Sequence, residues 1–178
     1  GITEVLTMKL GYTTSQNRGE VDRILAQTAA ALMAAGLKLA GVVQTNSENC
    51  DIGLCDMDVR VLPDGPVFRI SQSLGKESKG CRLDPGALEQ AVGAVAASLE
   101  DGPDLLIINK FGKHEAEGRG FRPVIAEALE RDLPVLIAVN ALNLGSFLEF
   151  TCGVAEKLSL DLANLERWLA SRSRVAAA

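Results

Sequence analysis

The residues best placed to do chemistry lie where apolar runs give way to polar turns. The segment LLIINKFGKHEAEGRGF, residues 105–121, begins as a predicted buried strand over Leu105–Ile108 and continues into a charged turn. A carboxylate pair at the end of such a strand could bind magnesium and orient water for phosphoryl transfer. This chain has Asn109 and Lys110 there, which favours ligand binding over hydrolysis. The single histidine, His114, is interpreted as a surface or ligand-contacting group rather than a catalytic base.

A second group of polar residues follows the first predicted strand, in GYTTSQNRGE. This loop has the place of a phosphate-binding loop, whose pattern is Gly-x4-Gly-Lys-Ser/Thr. Counting from Gly11 puts Gln16, Asn17 and Arg18 where Gly, Lys and Ser/Thr belong, so both the flexible glycine and the lysine charge are missing. A helix N-terminus and hydroxyl groups remain, and these suit a compact anion. A plain polar loop with helix-capping residues is the alternative. The ligand residues predicted here are Thr13, Thr14, Ser15 and Arg18.

The segment RISQSLGKESKGCR, residues 69–82, is rich in hydrogen-bond donors and positive charge although the protein is acidic. We expect this basic loop to enclose an anion against the helix N-terminus, with cationic side chains supplying charge and hydroxyls setting geometry. A solvated connection is the alternative. Lys113 and His114 are predicted at the same site, because the ends of parallel strands converge at one edge of a sheet. The ligand residues predicted in the loop itself are Ser71, Gln72, Lys76, Lys79 and Arg82.

Cysteines and acids in two segments form a candidate soft-metal site. The spacing of the cysteines and the lack of a paired histidine fall outside the pattern of structural zinc sites, which favours small buried thiols and capping aspartates instead. All four cysteines are predicted to be thiols, because they are too few and too irregular for a disulfide scaffold. The candidate metal residues are Cys50, Cys55 and Cys81, with Asp51, Asp56, Asp58 and Asp84 nearby.

Length and composition restrict the class of protein. A chain of 178 residues fits one domain, predicted to span 1–178, with 1–7 either expression-derived or an extension of the first strand and 173–178 a frayed tail. The net charge of −5 argues against nucleic acid as a partner. No apolar stretch approaches the ~20 residues of a membrane helix, so we expect no membrane partner and a cytoplasmic location. The sequence identifies no cofactor and sets no oligomeric state.

Apolar runs rich in Val, Ile and Leu alternate with segments of helical period, which predicts an α/β fold with three layers and a mainly parallel sheet. Two runs flanking the turn PDGP predict an inserted β-hairpin. Asp84 and Pro85 predict the N-cap and first residue of a helix. The predicted strands are Met8–Tyr12, 37–44, the hairpin 57–62 and 67–71, 105–108 and 134–140. The predicted helices are 18–36, 85–100, 122–132, 144–150 and 162–172.

The order of these elements resembles a bacterial domain-of-unknown-function family related to small P-loop nucleoside-triphosphatases of the nucleotide-kinase-like kind. The resemblance covers most of the chain and rests on GLKLAGVVQ, CDMDVRVL, RISQSLGKESKGCRLDPGAL and NKFGKHEAEGRGF. It implies a P-loop-NTPase-like frame. Gly112, Lys113 and Glu115 match the family motif, so Glu115 is added to the predicted ligand residues. Asn109 and Lys110 replace an Asp that would hold the magnesium shell and a Glu that would position water.

The residues and the resemblance together predict a binding protein for a small oxyanion or phosphorylated ligand on a degenerate P-loop-NTPase-like frame. The expected partner is therefore a small anion: phosphate, a nucleotide or a metal oxyanion. The resemblance also implies a loose molybdenum connection, and molybdate or tungstate would suit a site of hydroxyls and amides. A nucleoside-triphosphatase or nucleotide-kinase-like enzyme with an atypical site is one alternative, and a non-catalytic regulatory scaffold is another.

Overall fold

Strands and helices alternate along the chain in the computed structural model, which describes residues 9–15, 19–46, 56–72 and 82–171. The strands are β1 (Leu10–Ser15), β2 (Leu39–Asn46), β3 (Met57–Val61), β4 (Val67–Arg69), β5 (Ser71–Gln72), β6 (Arg82–Leu83), β7 (Leu105–Phe111), β8 (Val135–Asn140) and β9 (Glu156–Lys157). The helices are α1 (Glu20–Ala34), α2 (Pro85–Ser98), α3 (Lys113–Ala116), α4 (Arg122–Glu130), α5 (Leu144–Phe150) and α6 (Leu162–Ala170). Short 3-10 turns follow α2 and β8, at Leu99–Asp101 and Ala141–Asn143.

Seven of these strands form one sheet in the order β4-β3-β2-β7-β8-β1-β9. β2, β7, β8, β1 and β9 run parallel to one another, whereas β3 and β4 form a hairpin that pairs with β2 in the antiparallel sense and extends the sheet beyond it. β5 and β6 pair separately as a small antiparallel ribbon. The predicted α/β class, mainly parallel sheet and inserted hairpin are confirmed.

The sheet is covered on both faces, and alternate residues of each central strand enter different cores. Leu106 and Ile108 of β7 join a cluster with residues of α2, α4 and α5. Leu105 and Ile107 join a second cluster with residues of α1 and α6. The face covered by α1 and α6 is called the α1 face below. Burial on both faces explains why β7 and β8 read as continuous apolar runs.

The two strands that pair with β8 extend further than the sequence predicted, and β2 also ends later, at Asn46 instead of Gln44. β1 continues to Ser15 instead of ending at Tyr12, and β7 continues to Phe111 instead of ending at Ile108. In both cases polar residues take strand geometry because the neighbouring strand β8 pairs with them. Asn109 and Lys110 therefore lie within a strand and not in the turn that follows it. Helix α6 ends at Ala170, two residues before the predicted end.

The predicted start of α2 is confirmed. Asp84 is the N-cap, and its carboxylate accepts hydrogen bonds from the backbone N–H groups of Gly86 at 3.0 Å and Ala87 at 3.2 Å. Pro85 follows as the first helical residue, where a missing N–H has no cost. This cap fixes the point at which the chain leaves β6 and begins to cover the sheet.

Gly41 allows β2 and β7 to pair closely, and we predict that Gly41→Ala destabilises the fold. Its φ of 113° disfavours any side chain, and an added Cβ would overlap the backbone carbonyl of Ile107. We expect a loss of about 2–4 kcal/mol in the free energy of unfolding, measured by urea denaturation. The control is Gly93→Ala in α2, where an added Cβ meets nothing within 4 Å and should stabilise by roughly 0.5–1 kcal/mol. Equal effects of the two substitutions would contradict this account.

Candidate functional site

A cleft opens where β1 ends and α1 begins, at the carboxyl edge of the parallel sheet. It has a volume of about 200 Å³ and is lined by the last three residues of β1, the first turns of α1 and residues 158–160. The predicted ligand residues Thr13, Thr14 and Ser15 therefore share one cleft. Ligands of open α/β sheets bind outside the carboxyl ends of the strands, which makes this the candidate site.

The start of α1 differs in charge from a phosphate-binding loop. Gly19, with a φ of 78°, precedes the helix, and Glu20 is its first residue. In the phosphate-loop pattern a glycine and then a lysine lead into the helix, whereas in this chain Glu20 follows the glycine at the start of α1. Asp22 adds a second carboxylate to this turn. Acids here stabilise the helix N-terminus, but they repel an anion that carries no proton.

The three polar residues at the end of β1 have different surroundings. The Thr14 hydroxyl donates a hydrogen bond to the backbone carbonyl of Val139 at 2.9 Å, so it links β1 to β8. Thr13 is buried and Ser15 is half-buried. Because Gly11 faces Leu158 and Trp168 on the α1 face, strand alternation directs Thr13 and Ser15 to that face as well.

Asn109 is a buried polar residue whose role the sequence did not indicate. Its side chain is 1% exposed, and among the described residues neither Nδ2 nor Oδ1 has a hydrogen-bond partner. Burying an amide in this state costs roughly 1–3 kcal/mol, so a partner is expected. Asn109 pairs in register with Ala138, and the pairing then skips Lys110, which forms a β-bulge before Phe111. Strand alternation places Asn109 on the α1 face with Leu105 and Ile107.

The carboxylate of Glu115, one of the predicted ligand residues, is hydrogen-bonded to the backbone of its own turn. Glu115 is 4% exposed, and its carboxylate accepts hydrogen bonds from the backbone N–H groups of Gly112 at 2.9 Å and Phe121 at 3.0 Å. Gly120, with a φ of 59°, packs against this carboxylate so closely that an added Cβ would overlap it. Burial raises the pKa of Glu115, while the backbone hydrogen bonds oppose that shift. The carboxylate thus closes the turn between β7 and α4.

The turn closed by Glu115 displays Lys113, which is exposed, and His114, which is half-buried. Both lie in α3, which packs near α5 at the carboxyl edge. Since α5 belongs to the face opposite α1, these two residues reach the edge from the other layer of the fold. The structure brings them to the same edge as Thr13 but not to the same cleft.

Ser71 and Gln72 also lie at the carboxyl edge, next to the hairpin. The Ser71 hydroxyl accepts a hydrogen bond from the backbone N–H of Met57 at 2.9 Å, and the Gln72 amide donates to the Leu83 carbonyl at 3.4 Å. Four strand spacings, about 19 Å, separate β3 from β1. Both residues thus make local contacts far from Thr13. Arg18, Lys76, Lys79 and the side chain of Arg82 lie outside the described residues, so their approach to the site stays a prediction.

Some of the candidate metal residues also lie outside the described residues, and the others make local contacts. Cys50, Cys55, Cys81 and Asp51 lie outside the described residues. Arg69 forms ion pairs with Asp56 at 3.5 Å and Asp58 at 3.1 Å. Within the described ranges no three His, Cys, Asp or Glu side chains are arranged to hold a metal, and Cys152 is an exposed free thiol.

None of the helices in the described part of the chain could span a lipid bilayer.

The sheet order, the covering helices and the cleft between β1 and α1 define a three-layer α/β protein built on a P-loop-NTPase-like frame. The solution structure of a human cancer-related nucleoside triphosphatase has the same fold, with a TM-score of 0.61 and 14% sequence identity over 90% of this chain and 93% of that one. The chain itself belongs to the family described as Protein of unknown function (DUF2478), which matches residues 10–168. The resemblance inferred from the sequence is thereby confirmed.

The chain is also similar to part of a longer curated protein. The chain is 36% identical over 152 residues to "Molybdenum import ATP-binding protein ModC 2" of Bradyrhizobium diazoefficiens. The match covers 84% of this chain but 17% of that relative, so the chain corresponds to a minor part of its length.

We predict that Glu115→Gln removes part of the pH dependence of stability. Because burial raises its pKa, Glu115 holds its proton more tightly in the folded chain than in the unfolded chain. Its contribution to stability is therefore greatest in acid and falls as pH rises through the raised pKa. The difference in unfolding free energy between wild type and Glu115→Gln, measured by urea denaturation from pH 4 to about pH 8, should decline with pH.

Glu117→Gln is the matched control for loss of a carboxylate from the same turn, because Glu117 is exposed and pairs with Arg119. A wild-type advantage over Glu115→Gln that grows with pH would mean that hydrogen bonding outweighs burial at this carboxylate.

Proposed function

We propose that the protein binds a small oxyanion or phosphorylated ligand at the carboxyl edge of its sheet and does not hydrolyse nucleoside triphosphates. The main support for this proposal is the cleft between β1 and α1. Its volume of about 200 Å³ is below the ~300–1,000 Å³ of sites for drug-sized ligands. That size favours a small ion, with a few waters, over a complete nucleotide.

The residues at the catalytic positions support binding without hydrolysis. Asn109 stands where the related enzymes would have the magnesium-binding acid, and an amide is a poorer ligand for a hard divalent cation than a carboxylate. Lys110 stands where the water-positioning acid would be. The residue after Gly19 is Glu20 and not a lysine that would stabilise charge on the outer phosphates. Three separate parts of the hydrolytic apparatus are therefore changed.

The proposed ligand receives hydrogen bonds and positive charge from different elements. Hydroxyls of Thr13 and Ser15 and the first amides of α1 are hydrogen-bonding groups beside the cleft. Lys110, in the bulge of β7, and Lys113, in the turn after β7, bring positive charge to the same edge. The basic loop would add Lys76 and Lys79 if these two residues approach α1.

Arg119 and Arg122 are excluded from this set because both have structural roles. Arg119 pairs with Glu117, whereas Arg122 donates to the carbonyls of Glu115 and Ala116 and lies 4.4 Å from the centre of the Phe150 ring.

The name of the curated relative supports a metal oxyanion, molybdate or tungstate, among the ligands to test. A cytoplasmic location is part of the proposal, since thiols remain reduced there. A nucleoside triphosphatase with an atypical site is the second candidate. The observation that favours it is the likeness of the fold to the human nucleoside triphosphatase.

We predict that magnesium-dependent hydrolysis of ATP and GTP stays at background, because no acid is present at Asn109 or Lys110 and no lysine follows Gly19. Phosphate release from the purified chain with excess Mg²⁺ measures this. Turnover near the ~10 per second of a typical enzyme would overturn the binding proposal and favour the second candidate. Asn109→Asp combined with Lys110→Glu should also remain inactive, because the first loop still lacks its lysine.

We predict that at least one oxyanion among phosphate, molybdate, tungstate and sulfate raises the melting temperature of the protein. At a concentration ~100-fold above its dissociation constant, a ligand of the folded state adds roughly 2.7 kcal/mol to stability. Thr13→Val combined with Lys113→Ala should reduce the shift. Arg131→Ala, which removes a cation after α4 near the opposite edge, is the control and should retain it. The absence of a shift with all four anions would contradict the proposed function.

A further inference from the structure

Three buried polar side chains lie at the carboxyl end of the apolar core on the α1 face. Thr13 of β1 is 9% exposed, Asp22 of α1 is 6% exposed and Asn109 of β7 is 1% exposed. We call this group the buried polar cap. Such a group in place of apolar residues is costly unless its members are hydrogen-bonded.

The sheet register places Thr13 and Asn109 in one row. Each pairs with Ala138 of β8, which lies between them. Two strand spacings, about 10 Å, separate the two backbones, and Ala138 contributes only a methyl group to the gap. The hydroxyl and the amide thus lie on the same face of the sheet, on either side of a small side chain.

The first turn of α1 faces this row. Leu25 and Ala29 of α1 pack in the same core cluster as Ile107 and Ala138. Asp22 precedes Leu25 by one helical turn on the same buried face. The amino end of a 15-residue helix, with backbone N–H groups that have no partner within the helix, therefore lies beside the buried polar cap.

Asn109 supplies the independent sign of a ligand at this helix end. Its amide nitrogen and oxygen are both buried without partners among the described residues. The nitrogen donates and the oxygen accepts, so a group that satisfies both must itself accept one hydrogen bond and donate another. Asp22 adds a buried carboxylate, which only accepts when ionised. A bound ion that satisfies both atoms of the Asn109 amide must therefore bring a proton of its own.

Resting on the proposed function, we propose that the buried polar cap selects oxyanions that keep a proton at neutral pH. Inorganic phosphate and arsenate meet this requirement, because each retains at least one O–H group. Sulfate, molybdate and tungstate are fully deprotonated, so they would leave the Asn109 oxygen unsatisfied and face the Asp22 carboxylate without a proton between them. The Asn109 side-chain oxygen and the Asp22 carboxylate, which repel a fully deprotonated anion, are therefore the specificity-determining groups.

Ligand selectivity of the intact chain tests the proposal directly. Isothermal titration calorimetry at neutral pH should give dissociation constants for phosphate and arsenate at least ~10-fold below those for sulfate, molybdate and tungstate, because a buried hydrogen bond to a charged group discriminates by about that factor or more. Equal affinity for phosphate and molybdate, or a preference for molybdate, would overturn the selectivity while leaving the proposed oxyanion function intact. Failure of all five anions to bind would overturn both.

The substitution Asn109→Leu tests whether the Asn109 amide binds phosphate. Leucine has nearly the same size and removes the unpaired amide, so the variant should fold. Its affinity for phosphate should fall at least ~10-fold. Thr28→Val is the matched control, because Thr28 is a buried hydroxyl further along α1 that donates to Ile24, and it should bind phosphate as wild type does. Unchanged phosphate affinity in Asn109→Leu would show that a structural water satisfies the amide, and would overturn the proposal.

Asp22→Asn tests the origin of the selectivity. Removing the negative charge should raise affinity for sulfate and molybdate and narrow the preference for phosphate. An unchanged ratio between phosphate and sulfate in a folded Asp22→Asn protein would exclude Asp22 as a specificity-determining group. If this variant does not fold, the wild-type affinities and Asn109→Leu still decide the proposal.

Discussion

Parallel pairing of β8 with both β1 and β7 is the interaction on which the rest of the structure depends. It fixes Thr13, Ala138 and Asn109 in one row and brings the ends of three strands to the same edge. The helices that follow β1 and β7 then cover opposite faces, because each strand is buried on both sides. The candidate site is thus a product of strand order, and residues nearly a hundred positions apart in sequence become neighbours.

Local signals in the sequence were enough to predict several elements. The Asp84–Pro85 cap and the hairpin around PDGP were predictable because their geometry is decided by adjacent residues. Helix α5 was predicted with the bounds that the structure shows. The ends of β1 and β7 were not, because polar residues there are held in the sheet by a strand that is distant in sequence. Periodicity carries no information about such pairing.

The same distinction applies to the site. Glu115 matched a family motif, yet its carboxylate is occupied by the backbone of its own turn, and only coordinates could reveal that. Glu20 and Asp22 were visible in the sequence but acquired meaning once α1 was found to begin after Gly19. In the sequence, Asn109 replaces a catalytic acid, and nothing in the pattern predicts that its amide is fully buried.

The bulge at Lys110 limits which mutations the end of β7 can accept. Regular alternation would direct Phe111 to the same face as Asn109, but the extra residue sends Phe111 to the opposite core. There it stacks on Phe150 and packs edge-on against Phe147. Losing one residue here would move Phe111, the last residue of β7, to the wrong layer. The strand end should therefore accept many residue types at position 110 yet reject any insertion or deletion, so chain length at this point is under stronger constraint than chemical identity.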